Sequence, residues 1–375
     1  MAKLRVGIIF GGQSAEHEVS LQSAKNIVET IDENKFEVVL FGIDKEGQWH
    51  INNKLNYLIY GENETYIALN KSNKHIAIIP GRKHDQFIQI DMLEQLVQLD
   101  VIFPIVHGTL GEDGNLQGLL RMANLPFVGS TVLGSAVSMD KDIAKRLLRD
   151  ADLEVTPSIT LTRINRENFS YDQIITYLGS SLFVKPANQG SSVGVSKVIN
   201  RISFDQALAL AFCFDDKVLV ESAINGRELE CAVLGNHDPQ ASLCGEIVLS
   251  DNFYSYEKKY LNEHGAVVVV PAAISKEVSN NIQKIAVRAF QALNCTGMAR
   301  VDVFLTTNNK VLVNEVNTSP GFTSISMYPK LWQASGISYP ALITRLIELA
   351  IERYYAEQKK ISHRDIYNKI DTGSA

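Results

Sequence analysis

VDVFLTTNNKVLVNEVN, residues 301–317, is a pair of short apolar runs joined by a polar tip, and how it folds decides what kind of protein this is. Valines and Phe304 on either side of Asn308-Asn309 predict an antiparallel hairpin, because asparagine tolerates the left-handed backbone that a two-residue turn requires. With those asparagines as the turn, Asp302 faces Glu315, Arg300 faces Asn317 and Phe304 faces Val313. Alternate side chains share a face, so Arg300, Asp302, Glu315 and Asn317 gather on one patch. Directly opposed residues bring their Cβ atoms within about 4.5–5.5 Å, where two carboxylates repel, so a positive group is expected between them. Arg300 could supply it in an ordinary surface network. The sharper reading is a metal: Mg²⁺ takes oxygen ligands, usually one or two carboxylates plus substrate phosphates, and no His or Cys stands here to favour zinc.

The remaining composition sets bounds. A chain of 375 residues can hold two or three domains and a sizeable core. A formal net charge of -6 argues against a nucleic-acid or membrane-surface partner, so any phosphate site must be local. Cys213, Cys231, Cys244 and Cys295 form no C-x-x-C pair and sit in apolar stretches, which predicts reduced core thiols rather than a disulfide framework. MAKLRVGIIFGG is interrupted too early for a signal peptide, and no run reaches the roughly 18–20 apolar residues of a membrane span. A soluble, cytoplasmic protein is the expectation.

Along the chain, LRVGIIFGG predicts a buried strand at 4–10, followed by a helix at 19–30. FEVVLFGID and LDVIFPIVHG, the latter at 99–108, predict two further strands of a parallel α/β sheet. Residues 52–95 between them are polar and irregular, as in a peripheral elaboration. SMDKDIAKRLLRDADL has helical spacing with an acidic start and a basic end, and Pro157 after it marks the passage into a second unit. There SLFVKPA, the loop NQGSS, VGVSKV, a helix at 203–212 and DKVLVES follow a β-loop-β-α-β order, which is α+β. A third region holds antiparallel strands, the hairpin and a closing helix at 340–358. Its stripe of Leu342, Ile343, Leu346, Ile347, Ala350 and Tyr354 is packing. The polar tail from Ile361 is expected to fray.

Several segments have the chemistry to hold phosphate. VKPANQGSSVGVSKV puts Lys185 at a strand end before a Gly- and Ser-rich loop whose backbone amides can approach an anion; a flexible hairpin tip is the alternative. A lysine in so apolar a strand needs a partner or an exit to water. Lys141 lies near the start of the helix SMDKDIAKRLL, where a lysine is more often just solvated. Glu221 ends a strand and Glu228 follows a Gly turn, which suits the ribose of a nucleotide, although both could be surface acids. SYEKKYLNEHG, with Lys258, Lys259 and Tyr260, has the composition of a mobile lid. In NTSPGFTSIS, Gly321 can offer an amide with no Cβ in the way. Ser14 and Glu16 lie at the mouth of the first strand and His107 at the end of a later one, where open α/β sheets bind ligands.

Taken together, GGQSAEHEVS, HGTLGEDGNLQG, VKPANQGSSVGVSKV, YEKKYL, ARVDVF and NEVNTSPGFTSIS closely resemble, in order and spacing, the D-alanine-D-alanine ligases of the ATP-grasp superfamily, up to about residue 360. The resemblance implies a three-domain ATP-grasp architecture: an N-terminal α/β substrate domain at 1–138, a central subdomain at 139–221, a C-terminal metal-binding domain at 222–362 and a tail at 363–375. It implies ATP-dependent joining of two D-alanines through an acyl phosphate, for peptidoglycan. Asp302, Glu315 and Asn317 would hold two Mg²⁺, with Mn²⁺ as a substitute. Lys141, Lys185 and, from the lid, Lys259 would contact the ATP phosphates, while Glu221, Ile224 and Glu228 would read adenine and ribose. Arg300 and the Gly321 amide would stabilise the oxyanion, and Glu16, near His107, would bind the first substrate's ammonium. Ser326 and Met327 would meet the second substrate's carboxylate, and Ser191, Tyr260 and Glu16 would form a triad closing the lid. Ser222 stands where many relatives carry lysine and Met327 where leucine is common. Tyr260 favours a dipeptide over a depsipeptide product. A homodimer is expected by the same analogy.

Overall fold

The computed structural model describes residues 2–61, 66–92, 94–96, 98–249 and 266–359. From Val6 onward the first strand carries only apolar residues and glycine, so it can be covered on both faces, as the centre of a parallel sheet must be. It forms β1 (Leu4–Gly11), followed by α1 (His17–Thr30), β2 (Phe36–Ile43) and β3 (Trp49–Asn52). The expectation of an irregular stretch at 52–95 is corrected. β4 (Leu58–Ile59) pairs with β5 (Ala68–Leu69), and β6 (Ile76–Ile78), β7 (Phe87–Gln89) and β8 (Glu94–Gln95) make a second small antiparallel sheet. These strands are too short to show a period, and only scattered residues such as Ile76 and Phe87 anchor them. β9 (Val101–Ile105) completes a sheet of order β3-β2-β1-β9 with β1 parallel to β2 and β9, and α2 (Asn115–Met122) and α3 (Val132–Met139) follow.

An ion cluster around buried Asp44 and His50 ties the segment after β5 to the large sheet. Asp44, just after β2, accepts from the Glu46 and Gln48 amides at 3.0 and 2.9 Å, and its other oxygen is 3.0 Å from His50 Nε2 and 3.1 Å from Lys71 Nζ. Burial alone would raise its carboxyl, but the bonds from His50, Gln48 and Lys71 bring it down to about 2. A depressed carboxyl stabilises the fold above its unfolded pKa and loses that contribution as pH falls through the folded value. Asp44→Asn is therefore expected to lower the urea midpoint at neutral pH. The gap to the unaltered chain should narrow between about pH 4 and pH 2; a constant gap would show that the charge is not the cause.

The single helix expected over SMDKDIAKRLLRDADL is two helices, since α3 stops at Met139 and α4 (Lys141–Asp150) starts anew. Asp140 is the reason: its side chain accepts from the Asp142 and Ile143 amides, both at 3.1 Å, which requires a non-helical N-cap. β10 (Ser158–Thr162), α5 (Tyr171–Leu178), β11 (Leu182–Pro186), β12 (Ser196–Val198), α6 (Arg201–Phe214) and β13 (Lys217–Ser222) then build an antiparallel sheet of order β10-β13-β11-β12. Cys213, on α6, is exposed, contrary to the expectation that all four thiols are core residues; Cys231, Cys244 and Cys295 are buried.

β14 (Gly226–Gly235), β15 (Gln240–Leu249), β16 (Ala266–Val269), α7 (Lys276–Ala292), β17 (Gly297–Thr306), β18 (Val311–Asn317), α8 (Met327–Ala334) and α9 (Tyr339–Gln358) complete the chain, with sheet order β16-β15-β14-β17-β18. The α9 stripe packs as expected except at Tyr354, which is half-buried. Leu342, Ile343, Leu346 and Ile347 share one core with Val6, Ile8 and Phe103 of the first sheet and Ala232 and Met298 of the last. That core spans the N-terminal sheet and the five-stranded sheet, which holds their strand ends together.

The hairpin that opened the sequence reading forms, with two corrections that cancel. The loop is three residues, Thr307 to Asn309, with Asn309 at φ 60° and the Thr306 amide donating to Lys310 O at 2.9 Å. The Thr306 hydroxyl, 3.0 Å from both the amide and the carbonyl of Lys310, favours this longer loop. Phe304 therefore faces Leu312, not Val313. A bulge at Asn314 then restores the register, so that Asp302 does face Glu315 and Arg300 does face Asn317.

Candidate active site

Glu230 on β14, Asp302 on β17 and Glu315 on β18 lie abreast in register across three strands. Three carboxylates so placed repel one another, and Arg300 offsets two of them. Its Nε donates to Asp302 Oδ1 at 2.8 Å and its Nη2 to Oδ2 at 2.7 Å, while Nε is also 2.8 Å from Glu230 Oε2. Burial would lower the guanidinium's pKa, but the Asp302 and Glu230 charges overcome it and raise it well above the usual arginine value. Nη1 is committed to none of these bonds. Asn317 Nδ2 donates to Asp302 Oδ2 at 2.9 Å, which leaves the amide oxygen as an acceptor. Lys141 stands 3.6 Å from Glu315 and donates to the Gln189 carbonyl at 2.6 Å.

Asp302, Glu315 and the Asn317 amide make an all-oxygen donor set. Asp302 Oδ1 accepts from Arg300, and Oδ2 accepts from both Arg300 and Asn317. Among the described residues no three His, Cys, Asp or Glu side chains form a self-sufficient metal cage. Mg²⁺ takes oxygen ligands of this kind and keeps water and substrate phosphate in its remaining positions.

A second cluster faces this one across β11 and β13. Lys185 is buried and its Nζ lies 2.7 Å from Glu221 Oε2 and 3.2 Å from Asn314 Oδ1. Burial would pull its pKa down, but the charges of Glu221, Glu315 and Glu228 raise it. The buried lysine thus finds its partner at the neighbouring strand end. Glu228 lies within electrostatic reach, and Ile224 is half-buried in the connector between β13 and β14.

The third cluster sits at the mouth of β1. Ser191 Oγ donates to Glu16 Oε1 in a short hydrogen bond, and Ser14 Oγ donates to the His107 carbonyl at 2.6 Å. Glu16 is hemmed in by glycines: a Cβ at Gly108 or at Gly190 would stand 3.0 Å from its Oε2. Ser191 and Ser192 are both in left-handed backbone, at φ 50° and 60°, which costs a non-glycine residue about 1–3 kcal/mol and is tolerated mainly where geometry serves function. His107 is buried between Ser23 Oγ at 3.0 Å, the Ser319 carbonyl at 3.1 Å and Glu112 Oε1 at 3.4 Å. Burial acts to lower its pKa, and Glu112 and Glu16 outweigh it, holding the imidazole above its ordinary value. Burial and the Glu16 charge raise the Glu112 carboxyl in turn.

A fourth segment closes the site from the C-terminal side. Ser326 Oγ accepts from the Thr323 amide at 2.9 Å, and a Cβ at Gly321 would come within 2.7 Å of that oxygen, so a larger residue there would displace the Ser326 hydroxyl. The Met327 side chain is buried against Gly245, which leaves its amide, in the first turn of α8, as the group available to a ligand. Lys258, Lys259 and Tyr260, the expected lid, lie outside the described residues.

Sequence reasoning overlooked Glu230, Asn314, Glu112 and Lys145. Glu230 was reachable, two residues from Glu228 on one strand face, and Lys145 was reachable one helical turn after Lys141. Asn314 was not: on a regular strand it would point away from Glu315, and only the bulge turns it toward Lys185. Glu112 gains its meaning from His107, reached through a turn at Gly108 and Gly111 rather than by periodicity.

Comparison with known proteins agrees with this geometry. The family described as "D-ala D-ala ligase N-terminus" matches residues 5–130, and that described as "D-ala D-ala ligase C-terminus" matches residues 147–348. The chain is 64% identical over 356 residues to D-alanine--D-alanine ligase A of Salmonella typhimurium, covering 95% of this chain and 98% of the relative. It is 61% identical to the D-alanine--D-alanine ligase of Shouchella clausii, covering 96% and 98%. The solved D-alanine-D-alanine ligase of Coxiella burnetii superposes with a TM-score of 0.82 at 41% identity, covering 95% of this chain and 98% of that one. VanG D-Ala:D-Ser ligase from Enterococcus faecalis superposes with a TM-score of 0.82 at 38% identity, covering 93% and 100%. Across its α/β first domain, its two further sheets and both family segments, this chain belongs to the D-alanine-D-alanine ligase family.

Proposed function

We propose that this protein joins two molecules of D-alanine to D-alanyl-D-alanine at the expense of ATP, supplying a peptidoglycan precursor. The observation that carries the reading is the paired register of Asp302 with Glu315 and of Arg300 with Asn317, beside the two lysines Lys141 and Lys185. Phosphoryl transfer asks for charge neutralisation and positioning more than for a covalent nucleophile, and this is the equipment for it. In the first step the carboxylate of one D-alanine attacks the γ-phosphorus, the bond to the bridging oxygen breaks and ADP leaves. Lys141 and Lys185 hold the triphosphate, with Lys259 from the lid. Mg²⁺, two ions held by Asp302, Glu315 and Asn317, or Mn²⁺ in their place, would supply charge stabilisation between the phosphates.

Glu16 holds the first D-alanine by its ammonium, with His107 and Glu112 behind it. In the second step the free amine of the other D-alanine attacks the acyl carbon, and Arg300 Nη1 and the Gly321 amide receive the oxyanion. The carbon-oxygen bond to phosphate then breaks and the nitrogen loses its proton. Ser326 and the Met327 amide bind the second carboxylate, and Glu221, Ile224 and Glu228 contact adenine and ribose. Ser191, Tyr260 and Glu16 hold the lid shut, which keeps water from the acyl phosphate. Domains at 1–138, 139–221 and 222–362, a homodimer and a cytoplasmic location complete the reading; no described helix is long and apolar enough to cross a membrane.

The test is phosphate release on mixing protein, ATP, Mg²⁺ and D-alanine, with the product identified. Release that needs D-alanine and yields the dipeptide is expected. Because one structural relative is a D-Ala:D-Ser ligase, D-serine and D-lactate belong in the same mixture at neutral pH. A mixed dipeptide or depsipeptide as main product would overturn the substrate assignment, and ATP turnover without any amino acid would indicate a phosphohydrolase.

A further inference from the structure

Lys145 lies one turn beyond Lys141 on α4 and is 1% exposed, which makes it one of the most deeply buried charged groups in the chain. Its Nζ is 3.1 Å from Glu221 Oε1, while Glu221 Oε2 is 2.7 Å from Lys185 Nζ. One carboxylate is thus flanked by two buried ammonium groups. The contact to Lys145 is an ion pair without an aligned hydrogen bond, since neither Lys145 Nζ nor Glu221 Oε1 makes one. A single lysine would neutralise Glu221, and each further buried ion costs several kcal/mol of desolvation, so a purely structural network would not carry the second. Burial indeed pulls the Lys145 ammonium down to about 8, against the attraction of Glu221 and with the repulsion of Lys185.

The second lysine has a use if the first has another task. On the ligase reading, on which this inference rests, Lys185 meets the triphosphate, so phosphate oxygens compete with Glu221 for it. We infer that Lys145 is a positioning residue for nucleotide binding: it holds the Glu221 carboxylate paired and in place while Lys185 is drawn toward the phosphates. Without Lys145, Lys185 is the one buried cation left beside Glu221 among the described residues, and Glu221 keeps it. Glu221 stays anchored by Lys185 and so keeps its place toward the nucleoside, and the penalty falls on the phosphate part of the ligand.

Equilibrium binding of ATP and of adenosine to the full chain, by calorimetry or competition, reads this directly. Lys145→Met should weaken ATP by about 30-fold or more, the scale of losing one partner of a buried charge pair, and leave adenosine within about 3-fold. In turnover the KM for ATP should rise while the KM for D-alanine stays. Lys145→Met/Glu221→Gln, which removes the cation and the carboxylate together, should restore the ratio of ATP to adenosine affinity and remains informative should Lys145→Met fold poorly. A folded Lys145→Met chain with an unchanged ratio overturns the inference, and so does a ratio that stays low in the double variant. The unaltered chain checks the ligase reading separately: if it binds ATP no better than adenosine, that reading fails first.

Discussion

Glu315→Gln is expected to reduce turnover by roughly a thousand-fold, about 4 kcal/mol of transition-state stabilisation, and to leave the fold intact. The carboxylate faces Asp302 across the hairpin and stands 3.6 Å from Lys141. Its side chain is 28% exposed, so losing its charge leaves no buried group without a partner. The amide keeps the shape and one oxygen but lowers the charge that, on the proposed function, would draw a divalent cation to the triphosphate. The measurement is kcat over a Mg²⁺ titration, paired with thermal unfolding. A large fall in kcat, a higher Mg²⁺ midpoint and an unchanged melting temperature are expected together. Near-normal kcat, or an unmoved Mg²⁺ midpoint, would remove Glu315 from the metal site.

The second large effect falls on stability as well as rate. Arg300→Met should destabilise the protein by about 3–5 kcal/mol, the cost of stranding buried carboxylates that have lost their counter-ion. Glu230 and Asp302 are 3% and 4% exposed and share that one guanidinium. Activity should fall a further hundred-fold or more, about 3 kcal/mol, if Arg300 meets the oxyanion as the proposed function has it. The two losses separate in Arg300→Met/Glu230→Gln, which removes one stranded charge and should recover part of the stability without recovering the rate. Urea unfolding of both variants beside steady-state kinetics makes the comparison. If stability and rate recover together, Arg300 serves the fold alone.

Both expectations depend on a register whose local details differ from those the sequence suggests. The two-residue turn at Asn308-Asn309 is a three-residue loop, and the strand after it carries an extra residue at Asn314. Either change alone would have turned Glu315 away from Asp302, because a one-residue slip moves every side chain to the other face. Together they leave the acid pair where alternation places it and add Asn314 to the Lys185 side. The pattern of charge among valines therefore set Asp302 against Glu315, as the structure has them, for a partly mistaken local reason.

What the amino-acid sequence determined by itself is whatever depends on near neighbours. The buried strands of the first sheet, the α9 stripe, the hairpin and the glycines that admit close approach all follow from periodicity and backbone freedom over a few residues. The identity of the chemistry followed from motif order along the whole chain. The tertiary structure alone decided the pairings between distant groups: Ser191 on Glu16, Lys145 and Lys185 on one Glu221, His107 between Ser23 and Ser319, and Glu230 beside Arg300. The physical reason is that a charge withdrawn from water must find its partner in space, and which partner lies within about 3 Å is set by how the sheets and α9 pack around their common core, not by spacing along the chain.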